Sequence, residues 1–224
     1  MLKTLLPGIL SLFAQVDVVG QAAQLPEIFA SRHISFRSYD NIEGSPYLFK
    51  EWKHADMVMK AGNVYKSVPV KINIYENTIY FQRNDTAYEL YPDIISELSI
   101  VTNSNDSSKK ILISTGYNYY GNIASDKIVQ IFSKGKISLI KIFRKEIRKE
   151  YDDVHSRTVT RFTDLDQYFI IENGKLNKVS FSKNKFYTII ADKKEDMEIF
   201  LKKENPNLKT PEGFALALNY YNSL

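Results

Sequence analysis

Asp152, Asp153, His155 and Ser156 form the densest run of chemistry-bearing side chains in this 224-residue sequence. A carboxylate beside an imidazole suits general-base work, and Asp153 with His155 offers two ligands to a metal or an Asp/His site to a hydrolase. Side chains two positions apart share a face only on a strand. This run falls between two strand-like stretches, so a solvated loop is the favoured reading. His33 and His54 stand alone, and His54, near Trp52, reads as a surface polar residue. Gly116 and Gly121 have the outer spacing of a phosphate loop, but Asn122-Ile123 stands where lysine and serine or threonine would touch phosphate and magnesium. The sequence has neither a G-x-S-x-G elbow nor an H-E-x-x-H helix. The absence of cysteine excludes disulfides, thiolate metal sites, cysteine nucleophiles and a lipid-anchored cysteine. No catalytic residue, metal ligand or cofactor site is assigned.

Three other features bear on binding. Tyr117, Tyr119 and Tyr120 flank Asn118 between two glycines and form an aromatic loop able to stack on a ligand or anchor a partner. They are the candidate ligand-binding residues, and packing of that loop against a sheet is the competing reading. Lys134, Lys136, Lys141, Arg144, Lys145, Arg148 and Lys149 face a single acid, Glu146, within residues 134–149. Such a run suits phosphate groups of nucleic acid or lipid, but outward lysines also protect strand edges, and that reading is preferred. Asn84-Asp85-Thr86 and Asn105-Asp106-Ser107 match glycosylation acceptors and are explained as well by turn chemistry.

The elements that hold these residues are mostly strands. Hydrophobic residues make up 44% and charged residues 25%, a globular balance that excludes wholesale disorder. The net charge of +4 is too small to call for a nucleic-acid partner. From Met57 the chain alternates: Val68, Val70, Ile72 and Ile74 share one face, opposite Lys71 and Asn73. Ala61-Gly62-Asn63, Glu76-Asn77 and Asn84-Asp85 read as tight turns, and strands joined that closely must be antiparallel. Leu98–Val101 and Ile111–Ile113 read as short strands around a polar loop at 103–110. Ile128–Phe132 pairs with Ile137–Phe143, and Asn173-Gly174 closes a hairpin between Tyr168–Ile171 and Leu176–Phe181. The total is roughly ten or eleven strands. Pro69 demands an edge or a bulge.

Beyond residue 181 the period changes to 3.6. Ser182 caps a helix carrying Phe186, Asp192 and Glu195 form a capping box for a second, and Thr210-Pro211 opens a third, which Phe214, Ala217, Leu218 and Tyr221 make amphipathic. The expected fold is mainly β (α+β): an antiparallel meander forming a curved sheet or open barrel, with about three short C-terminal helices packed on it. The expected organisation is a leader over 1–23, a β-rich domain over 24–181 and a helical segment over 182–224. The leader follows from Lys3 and the apolar run Leu5–Phe13, too short to span a membrane, with cleavage after Ala14 or after Ala22 or Ala23. An integral outer-membrane barrel is not expected, because charge is spread through the strands and the chain closes on helices.

Gly44-Ser45-Pro46-Tyr47-Leu48 followed by Trp52 resembles a family of uncharacterised exported proteins common in Bacteroidetes. Val64-Tyr65-Lys66 with Val68-Pro69-Val70-Lys71, Asn173-Gly174-Lys175 and Tyr220-Tyr221-Asn222 agree with that resemblance. It implies a periplasmic, cell-surface or secreted setting and carries no established activity. The resulting expectation is an exported, non-enzymatic protein binding an envelope ligand or protein partner. An envelope hydrolase and a nucleic-acid-binding regulator are the alternatives.

Overall fold

The computed structural model describes residues 30–33, 36–103, 105–115, 123–124 and 126–224. Its strands are β1 (Ala30–His33), β2 (Lys53–Met59), β3 (Val64–Asn73), β4 (Thr78–Arg83), β5 (Thr86–Leu90), β6 (Ile95–Asn103), β7 (Asp106–Ser114), β8 (Val129–Ser133), β9 (Ile137–Ile142), β10 (Lys145–Asp152), β11 (Arg157–Asp164), β12 (Gln167–Glu172) and β13 (Lys175–Lys178). The helices are α1 (Lys183–Ile189), α2 (Lys194–Glu204) and α3 (Pro211–Ser223). Asparagine and glycine place the turns. Asn84 and Asp85, with φ of 48° and 58°, join β4 to β5, and Asn173 and Gly174, at 50° and 72°, join β12 to β13. Both pairs adopt the left-handed conformation that two-residue hairpins need.

Eleven of these strands form one antiparallel sheet in the order β1-β5-β4-β3-β2-β6-β7-β8-β9-β12-β13. The expected meander over 57–91 is therefore present, but β6 does not continue from β5. It pairs with β2, at the far side of the meander. In a flat sheet the four steps from β5 to β6 would span about 19 Å. The chain from Leu90 to Ile95 has to cover that distance with a 3-10 turn at Pro92–Ile94 in the way, and even five fully extended residues reach only about 17 Å. The sheet must curl. The curl stays open, and its inside is filled by Met57, Met59, Ile79, Phe81, Leu98, Ile100 and Ile113, each 0–2% exposed.

Pro69 sits beside a bulge. Ala55 faces Val68 and Met57 faces Tyr65, so β3 carries one extra residue opposite Asp56. Asp56 holds this bulge by accepting from the Ser67 N–H and from Lys66 Nζ, both at 3.1 Å, and Ser67 takes a φ of 52°. Partial burial, the largest single influence on Asp56, pushes its carboxyl upward, but the two hydrogen bonds and the charges of Lys66 and Lys110 together hold it below the usual carboxylate range. The ladder of β3 with β4 begins only at Val70, so Pro69 removes no donor from that pairing.

The opposite face of β3 and β4 carries an aromatic layer. Lys71 Nζ lies 4.5 Å from the Tyr47 ring centroid, within 6.0 Å of Phe36 and Trp52, and donates to the Lys50 carbonyl at 2.7 Å. Removal from water lowers its pKa. Buried Asn73 satisfies itself in the neighbouring turn, donating to Glu76 Oε2 at 2.9 Å and accepting from the Glu76 N–H at 3.1 Å.

At the other end of the sheet the helices cover one face. Ile137, Leu139 and Ile170 pack against Phe186, Ile190, Met197, Phe214, Ala217 and Leu218. Ser182 and Thr210 cap α1 and α3 as expected, accepting from the Lys185 and Gly213 N–H groups at 3.2 Å. Hairpin β10-β11 stands outside the large sheet, and Glu43 bridges to Arg161 beside it.

Four sequence expectations are corrected. The polar stretch 103–110 is mostly strand: β6 runs to Asn103 and β7 starts at Asp106, with Asn105 in the turn, because their pairing continues past the buried section and the side chains reach water. Part of the lead-in, Ala30–His33, is strand β1 on β5, and Lys145–Asp152 is strand β10, which together bring the strand total to thirteen among the described residues. The turn around Glu76-Asn77 takes four residues, 74–77, not two. Asp192 does not cap α2, whose N-cap is Lys193; Asp192 bonds Lys136 and Tyr221 instead.

Candidate functional site

Among the described residues, those singled out by sequence do not come together. Tyr117, Tyr119 and Tyr120 lie outside the described residues, as do Gly116, Gly121 and the leader. His54 is exposed on β2 opposite Pro69, and His33 belongs to β1. Asn84 and Asn105 sit in hairpin turns.

Hairpin β10-β11 carries the Asp/His run at its tip. His155 Nδ1 lies 2.8 Å from Asp152 Oδ2, not from Asp153, and Asp152 Oδ1 also accepts from the Val154 and His155 N–H groups. The hydrogen bond to the imidazole, ahead of a small opposing effect of burial, holds the Asp152 carboxyl below its usual range. This is the bonding of a turn, built at an exposed tip. Among the described residues no three histidine or acidic side chains converge on a metal-sized site.

The basic run is largely matched by acids. Lys136 pairs with Asp192 at 2.7 Å, Lys141 with Asp166 at 3.2 Å and Lys145 with Asp164 at 2.8 Å, while Arg144 and Arg148 share Glu146. Lys134 and Lys149 carry no ion pair among the described residues. A surface already neutralised in this way offers few charges to a phosphate backbone.

A different site emerges where β7 and β8 part. Their ladder holds only Leu112, Ile113 and Ser114 against Ile131, Gln130 and Val129. Past Leu112, β7 continues through Asp106–Ile111 with β6 on one side and, among the described residues, no strand on the other. Helix α3 packs on β8 and β9 and presents Glu212, Ala215, Leu216 and Asn219 to the gap. The result is a groove of ≈680 Å³, within the range that holds small ligands or a peptide segment. Ile111, Phe132 and Leu216 make its floor and wall apolar, with Leu216 50% exposed. Lys110 and Lys134 stand on its strand side and Glu212 on its helix side. Two smaller clefts are a ≈430 Å³ one between Asn41–Glu43 and the start of β11 and a ≈380 Å³ one between Lys183, Leu201 and residues 205–209.

Sequence reasoning placed Lys110 in a loop and Lys134 in a charge run, so it did not connect them. One signal was available. Leu216 lies off the apolar stripe of Phe214, Ala217, Leu218 and Tyr221 and had no core role to play.

The chain matches no protein family, no curated protein and no solved structure. No described helix is long and apolar enough to cross a membrane.

Proposed function

We propose that this protein is a non-enzymatic binding module of the bacterial cell envelope, and that the groove between β7, β8 and α3 is its binding site. The observation that carries the reading is the parted strand pair: an apolar floor, a half-exposed leucine and unpaired backbone edge lie side by side. Exposed apolar surface in a concavity is retained where a partner covers it. The interior of the curl supports a surface-binding role over cargo transport, because Met57, Phe81 and Leu98 fill it. The envelope setting rests on the N-terminal pattern of Lys3 and Leu5–Phe13 and on the family resemblance.

The test compares thermal unfolding of the wild type with Leu216→Arg, a change at an exposed position that blocks the groove without touching the core. Probes are peptidoglycan fragments, anionic phospholipid vesicles and unstructured peptides. A probe at about 100 times its dissociation constant raises stability by about 2.7 kcal/mol, so one class should raise the wild-type midpoint and leave Leu216→Arg unmoved. If no class moves the wild type, the binding role is refuted. N-terminal sequencing from the native host checks the setting: an uncut Met1 in a cytoplasmic fraction contradicts it.

A further inference from the structure

We propose that the groove takes an extended acidic peptide segment as an added strand, paired with the free edge of β7; this rests on the groove being the binding site. Two independent features define such an occupant. Among the described residues Asp106–Ile111 has a strand, β6, on one side only; the Ser108 N–H is taken by Asp106 Oδ1 at 3.1 Å and the Lys109 C=O by Thr102 Oγ1 at 2.9 Å, and the remaining outward N–H and C=O groups meet no strand partner in the gap. A strand edge of that kind is completed by another extended backbone, whose main-chain groups match it one for one. The gap also has the right walls. On the far side β8 has turned away: Ile131 still faces Ile140 of β9, but Phe132 and Ser133 have no partner toward β7. Helix α3 closes the groove above.

Charge selects the side chains of the added strand. Lys134 has no acid beside it among the described residues. Lys110 meets only Asp56, at 4.0 Å, and that carboxylate is already held at 3.1 Å by Lys66. Lys110 and Lys134 line the groove together with Ile111 and Phe132, and Lys110 reaches the face of β7 opposite Ile111, toward Asp56. An incoming strand with alternating apolar and acidic residues would set its apolar side chains against Ile111, Phe132 and Leu216 and its carboxylates beside Lys110 and Lys134. Glu212, on the helix wall, disfavours an acid at that end, which gives the site a direction. Elsewhere the sheet protects its edges: β13, the last strand, is four residues long and carries lysine at both ends. The β7 edge is longer, and α3 stands beside its Lys110–Leu112 end.

The probe is a fluorescently labelled, end-capped peptide of alternating valine and glutamate, about as long as the free edge, followed by anisotropy. The expected result is saturable binding that weakens at least tenfold when alternate peptide nitrogens are methylated. Lys134→Glu should weaken it about tenfold, and a valine–lysine peptide should bind the wild type no better than that variant binds the original. Equal binding of methylated and unmethylated peptides overturns strand addition, as does an absence of binding. If a glycan or vesicle shifts the wild-type midpoint while the peptide fails, the groove stands as a binding site and the strand proposal falls. If the protein instead dimerises with concentration and Leu216→Arg abolishes this, a second copy uses the edge and the peptide reading is overturned.

Discussion

Replacing Asn222 with alanine should unfasten the last helix from the sheet it covers. The Asn222 side chain behaves as a short piece of strand: Oδ1 accepts from the Ile137 N–H at 3.0 Å, and Nδ2 donates to the Ile137 carbonyl at 2.8 Å and to Ser133 Oγ at 3.2 Å. Ile137 is fully buried, so its two backbone groups would lose partners that water replaces only in part. Each intramolecular hydrogen bond contributes about 1 kcal/mol net, and a stranded buried group costs about 1–3 kcal/mol. With the neighbouring Lys136–Tyr221 bond at 2.8 Å still in place, the loss should be about 2 kcal/mol. For a domain of this size that lowers Tm by about 4–8 °C. Circular dichroism melts measure the drop, and amide exchange at Ile137 should accelerate in parallel. Gly135 supplies an internal control. A methyl group added there would lie 2.6 Å from Asn222 Cγ and 2.9 Å from its Cβ, so Gly135→Ala should destabilise the wild type and do less harm once Asn222 is alanine, and least once it is glycine. A midpoint unchanged within about 1 °C, or simple additivity in the double variant, would refute this view of how α3 is held.

Three further outcomes follow from particular side chains. Gly213→Ala should cost about 3 kcal/mol by chemical denaturation, because its Cβ would stand 2.2 Å from the Asn207 carbonyl oxygen; Gly62→Ala, with open space but a φ of 91°, should cost only about 1 kcal/mol. Tyr39 packs on Phe162 at 5.2 Å, and burial pushes its hydroxyl up to about 12, so the protonated fold loses that contribution as pH rises from 10 through 12; tyrosinate absorbance should show a late-titrating component, shared with Tyr47, Tyr80, Tyr168 and Tyr221, whose amplitude falls in Tyr39→Phe. Asp192, hydrogen-bonded by Lys136 and Tyr221, has its carboxyl lowered from 3.8, so its contribution is present above that pH and is lost as pH falls below it; Asp192→Asn should flatten the acid limb of a stability profile and leave its slope near neutrality unchanged.

Local chemistry was legible in the sequence wherever a few neighbouring residues decide the outcome. Asn84-Asp85, Asn173-Gly174, Ser182 and Thr210-Pro211 fix turns and caps by their own backbone and side-chain preferences. Alternation from Val68 to Ile74 fixes which face is buried, whatever strand lies alongside. Non-local pairing was not legible. Nothing in Ile95–Asn103 says that it returns to β2 instead of following β5, because that choice depends on the whole sheet curling. Asp192 had the spacing of a capping box but found Lys136, 56 positions away, and a strong ion pair displaced a local cap. The groove needed three distant segments, 110–112, 130–134 and 212–219, to meet. Of its signals only Leu216, an apolar residue outside the helix stripe, was visible beforehand.

Amide hydrogen exchange along β7 tests the central claim most directly. In the free protein, alternate amides of Asp106–Ile111 should exchange rapidly while those of Ile113 and Ser114, flanked by β6 and β8, stay protected; adding the valine–glutamate peptide should slow the fast set. Uniform protection of Asp106–Ile111 in the free protein would mean that the edge is already closed, and the groove would lose its role.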